Sequence, residues 1–500
     1  MNPVDRLVRP VVVFLSVAVF ASVSNRAFAI PQFAKKYGVA CNTCHVGVPK
    51  LNPFGEKFRM NSFQLPGTIE TTPVWQQELL PLSGMPHPMY MIRNIKNNME
   101  MATPNGIPAG EQLSVNTFRA AFEFFSGGTV GPHLSYLAFL EIELEPSVGT
   151  EGEEPEAHDH ALGVRGNYSK LGKTATAGTE EEDVAAIGTE VSVIFHQLFV
   201  TYNNLANFWG EDIGNLNVRM GFFHLETPFN SLRKLTGHSS PYLAYALSPV
   251  EGGFSLSSRQ LGVAVNGWLG SMRLGVEYEL AAVNGTNSLI DTNPPKDFYG
   301  RLAVSWRERL RLGVLAHRGW QNILGGSNLK EQDDFFYRVG LDFSWQAKSG
   351  INLFGQWIRG YDDDTDARIV GPQPFQFDGG FIEADVPLRK LVSYRSFLSK
   401  LMIVARVDLI NVTKQIELAD PMDNSMLIGM TGDERQIKMF TLALRYYFLP
   451  NVFLILEGGA QDNKLGYPKI DEMFNAGSGK AGRVVDVDAN WTMAMVVVAF

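Results

Sequence analysis

Two thiols and an imidazole stand together in the run Cys41-Asn42-Thr43-Cys44-His45, and the chain of 500 residues holds only these 2 cysteines. C-x-x-C-H is the spacing at which two thiols form thioethers to the vinyl groups of a haem while the adjacent histidine reaches the iron. Cys41 and Cys44 are therefore the expected attachment residues of one covalent haem c, and His45 its proximal iron ligand. Two other readings compete. A thioredoxin-like pair would need a βαβ context that is absent, and half of a zinc site would need further Cys or clustered His. The second axial position is left open. Met60 and Met85 are the candidates carried forward, with His87 and Met89 in the same stretch, although methionine is also a common gap-filler.

A second kind of chemistry lies in acidic runs. Glu151, Glu153, Glu154, Glu156, His158, Asp159 and His160 stand close together, Glu180 to Glu182 and Asp183 follow, and Asp362, Asp363, Asp364 and Asp366 form another group. Carboxylate and imidazole suit Fe(II) and similar cations. Glu153, Glu154, Glu156, His158, Asp159 and His160 are the candidate Fe(II)-collecting loop, although the commoner fate of such a run is a solvated face. The net charge of -9 excludes nucleic acid as a partner, which would need a basic stripe. No nucleophile triad, phosphate loop or zinc-protease helix occurs.

The elements that must position these groups begin with an export signal. Residues 11–21 are apolar, follow Arg6 and Arg9, and lead to Ala27-Phe28-Ala29, an A-x-A cleavage site that makes Ile30 the mature start. An apolar run this short does not span a bilayer. Beyond about residue 89 the chain alternates at period two. Tyr337, Val339, Leu341, Phe343 and Trp345 share one face, against Arg338, Asp342, Ser344 and Gln346. Phe440, Leu442, Leu444 and Tyr446 oppose Thr441 and Arg445 in the same way, and Leu302, Val304 and Trp306 oppose Arg301 and Ser305. Alternation alone does not say which face meets lipid, because a soluble sandwich has the same period.

About sixteen strands are expected, an even number, starting near 89, 117, 132, 191, 216, 259, 271, 297, 310, 334, 350, 377, 398, 436, 451 and 488. Short links near Gly270, Glu308-Arg309, Lys348-Ser349 and Leu449-Pro450 are expected to alternate strictly with long ones, the pattern of tight periplasmic turns and long outer loops. The final strand ends on an aromatic residue, Phe500. The predicted fold class is mainly β: an antiparallel transmembrane β-barrel of the outer membrane, both termini periplasmic. The expected units are a signal peptide at 1–29, a monohaem cytochrome c segment at 30–88 and a porin-like barrel at 89–500. Sixteen strands enclose a channel rather than a packed core, so the small haem segment is expected inside it or on its periplasmic side.

Phe33-Ala34-Lys35-Lys36-Tyr37-Gly38, then Cys41 to His45, then Pro49-Lys50-Leu51-Asn52-Pro53-Phe54-Gly55 and Phe58, resembles the N-terminal segment of the fused monohaem cytochrome–porins. The resemblance covers roughly 30 residues, with the barrel agreeing only as architecture. It departs at Ser62-Phe63, where Gly-Tyr is expected, and Met60 is outside the pattern. Members of that family include outer-membrane Fe(II) oxidases. The resemblance implies an iron–cytochrome c oxidoreductase that takes electrons from extracellular Fe(II) to a periplasmic carrier, a cytochrome c or cupredoxin. Two alternatives stand beside it: a haem-plugged porin passing solutes, and outward electron delivery to an external acceptor.

Overall fold

The structure, a computed structural model, describes residues 32–65, 67–76, 81–97, 112–149, 166–167, 186–205, 216–229, 233–237, 241–247, 254–271, 273–285, 295–323, 332–363, 374–393, 396–414, 436–465 and 485–499. The signal region, the acidic loop from Glu151 to His160, Glu180 to Asp183, Asp364, Asp366 and Phe500 lie outside these residues.

Among the described residues sixteen long strands pair in sequence order into one closed antiparallel barrel. They are β1 Leu82–Asn97, β2 Gln112–Gly131, β3 Leu134–Gly149, β4 Ala186–Tyr202, β5 Asn217–His224, β6 Arg259–Gly270, β7 Leu274–Val283 and β8 Asp297–Trp306. The second half is β9 Leu310–Ile323, β10 Gln332–Gln346, β11 Asn352–Asp362, β12 Phe375–Pro387, β13 Leu401–Lys414, β14 Gln436–Leu449, β15 Val452–Leu465 and β16 Val485–Val498. β16 closes the ring on β1, Val487 opposite Asn97 and Met495 opposite Met89. A two-residue piece, Gly166–Asn167, pairs beside β4.

Burial decides what the alternation could not. Leu341 is 57% exposed and its neighbour Arg338, on the opposite face of the strand, 1%. Leu442 is 47% exposed and Arg445 0%. Leu302, Val304 and Trp306 likewise face out while Arg301 and Ser305 are buried. A water-soluble sheet buries its apolar face; this barrel turns it outward and keeps charge inside, the polarity of a wall solvated by lipid. Inside, the charges are paired: Arg301 with Asp342 at 3.1 Å, Arg338 with Asp362 at 2.8 Å and Arg406 with Asp408 at 2.7 Å. Buried pairs of this kind fix geometry more than they add net stability.

Two expectations need correction. The first strand opens at Leu82 rather than near 89, so Met85 and His87 belong to the wall. Pro86 and Pro88 are the reason the sequence misleads there, since proline lacks the N–H that a ladder uses. β16 pairs β1 only from Met89 onward, so both prolines sit where one edge of β1 carries no partner. The short links also do not alternate strictly with long ones: residues 203–216 and 388–400 are on the short-link end yet are not tight turns, and the second holds two 3-10 turns, Leu388–Lys390 and Phe397–Lys400.

The ring is filled from both ends. The N-terminal segment contributes helices α1 Gln32–Tyr37, α2 Cys41–Cys44 and α3 Pro53–Met60. Gln32 bonds Ser83 of β1 and Gly127 of β2, Asn217 of β5 donates to the Met60 carbonyl, Lys50 pairs with Asp385 of β12, and Arg445 of β14 donates to the Val48 carbonyl. A segment that reaches strands on all sides of the ring lies within it, here toward the end carrying the short links. The link between β5 and β6 folds in from the opposite end. Its short helix α4, Leu243–Ala246, follows Tyr242, which stacks on Phe381 of β12, and Phe254 bonds Gln321 of β9.

Candidate functional site

Asn52 builds the turn that presents the two thiols. Its Oδ1 accepts from the Gly55 amide at 2.9 Å and so caps α3, with Pro53 in the first helical turn where a missing N–H costs nothing. Its Nδ2 donates to the Thr43 carbonyl at 2.9 Å, and its backbone N–H to Cys44 at 2.9 Å. The start of α3 is thereby fastened to the C-x-x-C-H turn. Gly55 is required by that closeness: a Cβ there would meet the Cys44 carbonyl oxygen at 2.1 Å.

His45 is oriented by the backbone. Its Nδ1 stands 3.1 Å from the Pro49 carbonyl oxygen, which can only accept, so Nδ1 carries the proton and Nε2 keeps its lone pair. This is the arrangement that outer hydrogen bonds impose on metal-binding histidines. Burial pushes the His45 imidazole below its ordinary range, which favours the neutral, ligating form, and burial raises both Cys41 and Cys44 thiols. Both cysteines are free and partly buried.

Cys41, Cys44 and His45 all line one cavity of about 1610 Å³, measured to its open mouth, between the N-terminal segment and the inner wall. The lining is mostly apolar. Phe33 stacks on Phe63 at 5.2 Å and meets Phe58 and Phe125 edge-on at 5.1 and 5.9 Å, which makes a rigid aromatic floor. A flat, largely hydrophobic macrocycle with a central metal is suited by such a lining and by the His45 imidazole on it. Arg59, Arg219 and Arg233 also line the cavity, each paired with a carboxylate, Glu56 or Glu226.

The remaining predicted residues divide. Met85 lines the cavity; Met60 does not, and is buried at the end of α3. His87 is on β1 facing Glu141, 3.7 Å away. Asp362 pairs with Arg338 on the inner wall, apart from the C-x-x-C-H cavity. The sequence reading missed His224, at the end of β5. It is buried and lines the cavity. A lone histidine before a long link offers no spacing signal that could have found it.

No protein-family model matches the chain, and no curated protein does. Solved structures with a similar course of chain do exist. An anion-selective porin from Comamonas acidovorans is 11% identical over 84% of this chain and 99% of its own, with a TM-score of 0.46. The outer membrane channel DcaP of Acinetobacter baumannii is 11% identical over 84% and 97%, TM-score 0.40. OmpF of Salmonella typhi, in complex with daunomycin, is 10% identical over 83% and 97%, TM-score 0.43. The fold described above rests on the barrel's own pairing and burial.

Proposed function

We propose that this barrel spans the outer membrane, termini on the periplasmic side, and holds one c-type haem in its lumen for electron transfer between extracellular Fe(II) and a periplasmic carrier. The observation that supports it is the joint placement of Cys41, Cys44 and the carbonyl-oriented His45 on one apolar cavity. When bound, the haem supplies a one-electron redox centre within the wall's thickness. The chain's own part is to attach it through the two thiols, to present His45 Nε2, and to exclude water with the Phe33, Phe58 and Phe63 cluster. Met85 and His224, which line the same cavity, are side chains that could offer the bound group a further ligand atom.

The test is to mix the purified oxidised protein with Fe(II) anaerobically and follow the optical spectrum. Reduction at acidic or neutral pH is expected; none at either overturns the iron role. A second reading, a solute channel in which the N-terminal segment serves as plug or sensor, is favoured by the barrel itself, since a closed ring of sixteen strands with charge inside is the architecture of aqueous pores. The proposed function predicts no steady conductance in a planar bilayer, because both filling segments obstruct the lumen. Steady conductance supports the channel.

A further inference from the structure

Strands β1 to β3 gather three metal-ligating side chains beside the same cavity, and a histidine of β4 holds one of them. His87 of β1, Glu123 of β2 and Glu141 of β3 are buried and offer ligand atoms that all lie within 4.8 Å of one another. Glu141 stands between two imidazoles: its Oε1 is 3.7 Å from His87 Nε2, and its Oε2 is 2.5 Å from Nε2 of His196 on β4. Glu123 and Met85 line the cavity with Cys41, Cys44 and His45.

Two features of the wall point to a cation. Glu123 and Glu141 are direct cross-strand partners beside His87, a position in which two carboxylates repel unless a proton or a cation lies between them. A divalent ion between them turns that repulsion into attraction. His196 reaches the group only through a β-bulge. Phe139 pairs with Gln197 and Leu140 with Phe195, which leaves His196 as the extra residue of β4. Gln197 lines the lumen, so unbroken alternation would send His196 out to the lipid face; the bulge turns its ring inward onto Glu141.

We infer that His87, Glu123 and Glu141 bind one divalent first-row transition-metal ion, of the Fe(II), Mn(II) or Zn(II) class, inside the lumen, with His196 positioning Glu141. An imidazole with two carboxylates forms a mixed nitrogen and oxygen donor set that suits these ions. The site stands whether or not a haem is attached, and it is separate from the acidic loop that the sequence offered for collecting Fe(II).

The full-length protein in detergent, stripped with a chelator and with any free thiols alkylated, is dialysed against Zn(II) and its metal counted. One tightly held Zn(II) per chain is expected. It persists in a His158→Ala/His160→Ala variant of the loop and binds roughly tenfold or more weakly in Glu141→Gln. Heat-dependent electrophoretic mobility shows that each variant is a folded barrel. X-ray absorption at the zinc edge of the unmutated protein gives a readout free of any variant, with imidazole nitrogen expected beside carboxylate oxygen. Retention of no Zn(II), undiminished binding by a folded Glu141→Gln, or a shell of oxygen alone would each overturn the inference.

Discussion

His45 and Gly55 show how little freedom the C-x-x-C-H turn has. The Pro49 carbonyl fixes the ring, and α3 approaches so closely that a methyl group at position 55 has no room. Gly55→Ala should therefore destabilise the N-terminal segment by about 1–3 kcal/mol through overpacking against backbone, read as faster proteolysis of that segment with the barrel intact. Cys41, Cys44 and His45 stand together in the sequence, so their common place on one cavity was legible there. The roles of Pro49 and Asn52 were not, since a carbonyl acceptor and a cap follow from how the chain folds back. Ser62 belongs here too: it sits at φ 53°, a left-handed position that glycine adopts without strain, and the resemblance had set glycine there.

Helix α3 and the inward link between β5 and β6 are held together by two carboxylates, Glu226 of the link, which pairs with Arg59, and Glu56 of the helix. Glu56 accepts from Arg59 at 2.8 Å on its own helix and from Arg233 of the link at 3.0 Å. Burial alone would raise its carboxyl; Arg233 and Arg59 outweigh that and pull it from 4.5 to about 2. A depressed carboxyl contributes stability that is fully present above its unfolded value and is lost as pH falls from about 4.5 through about 2. The contribution at stake is about 3 kcal/mol. Hydrogen exchange of α3, corrected for the intrinsic rate, should accelerate across that window in the native protein and show no such step in Glu56→Gln. At this scale the strands were legible nearly throughout, because charge inside and lipid outside enforce period two. The exceptions are local: prolines masked the start of β1, and the bulge at His196 breaks the period in β4. The inward course of the link had no signal in its sequence, because its buried Tyr242, Tyr245 and Phe254 resemble those of any core.

The molecule as a whole is a barrel with its polarity reversed relative to a soluble protein, and that reversal is testable at one side chain. Leu341 stands midway between Tyr337 and Trp345 on the outer face of β10. Leu341→Arg should cost about 2–4 kcal/mol for folding into lipid vesicles, as a charge near the bilayer midplane does, whereas on a water-facing surface it would change stability by no more than about 0.5 kcal/mol. The N-terminal segment and the link between β5 and β6 enter a pore-sized ring and leave a chamber in it, on which the thiols and His45 meet. That a haem occupies the chamber is the central claim, and the most direct measurement is the alkaline pyridine spectrum of the denatured chain made in a host that matures c-type cytochromes. One haem c per chain is expected, covalently retained after denaturation and lost in the double substitution Cys41→Ser/Cys44→Ser. A native, unmutated barrel that retains no haem after denaturation would contradict it.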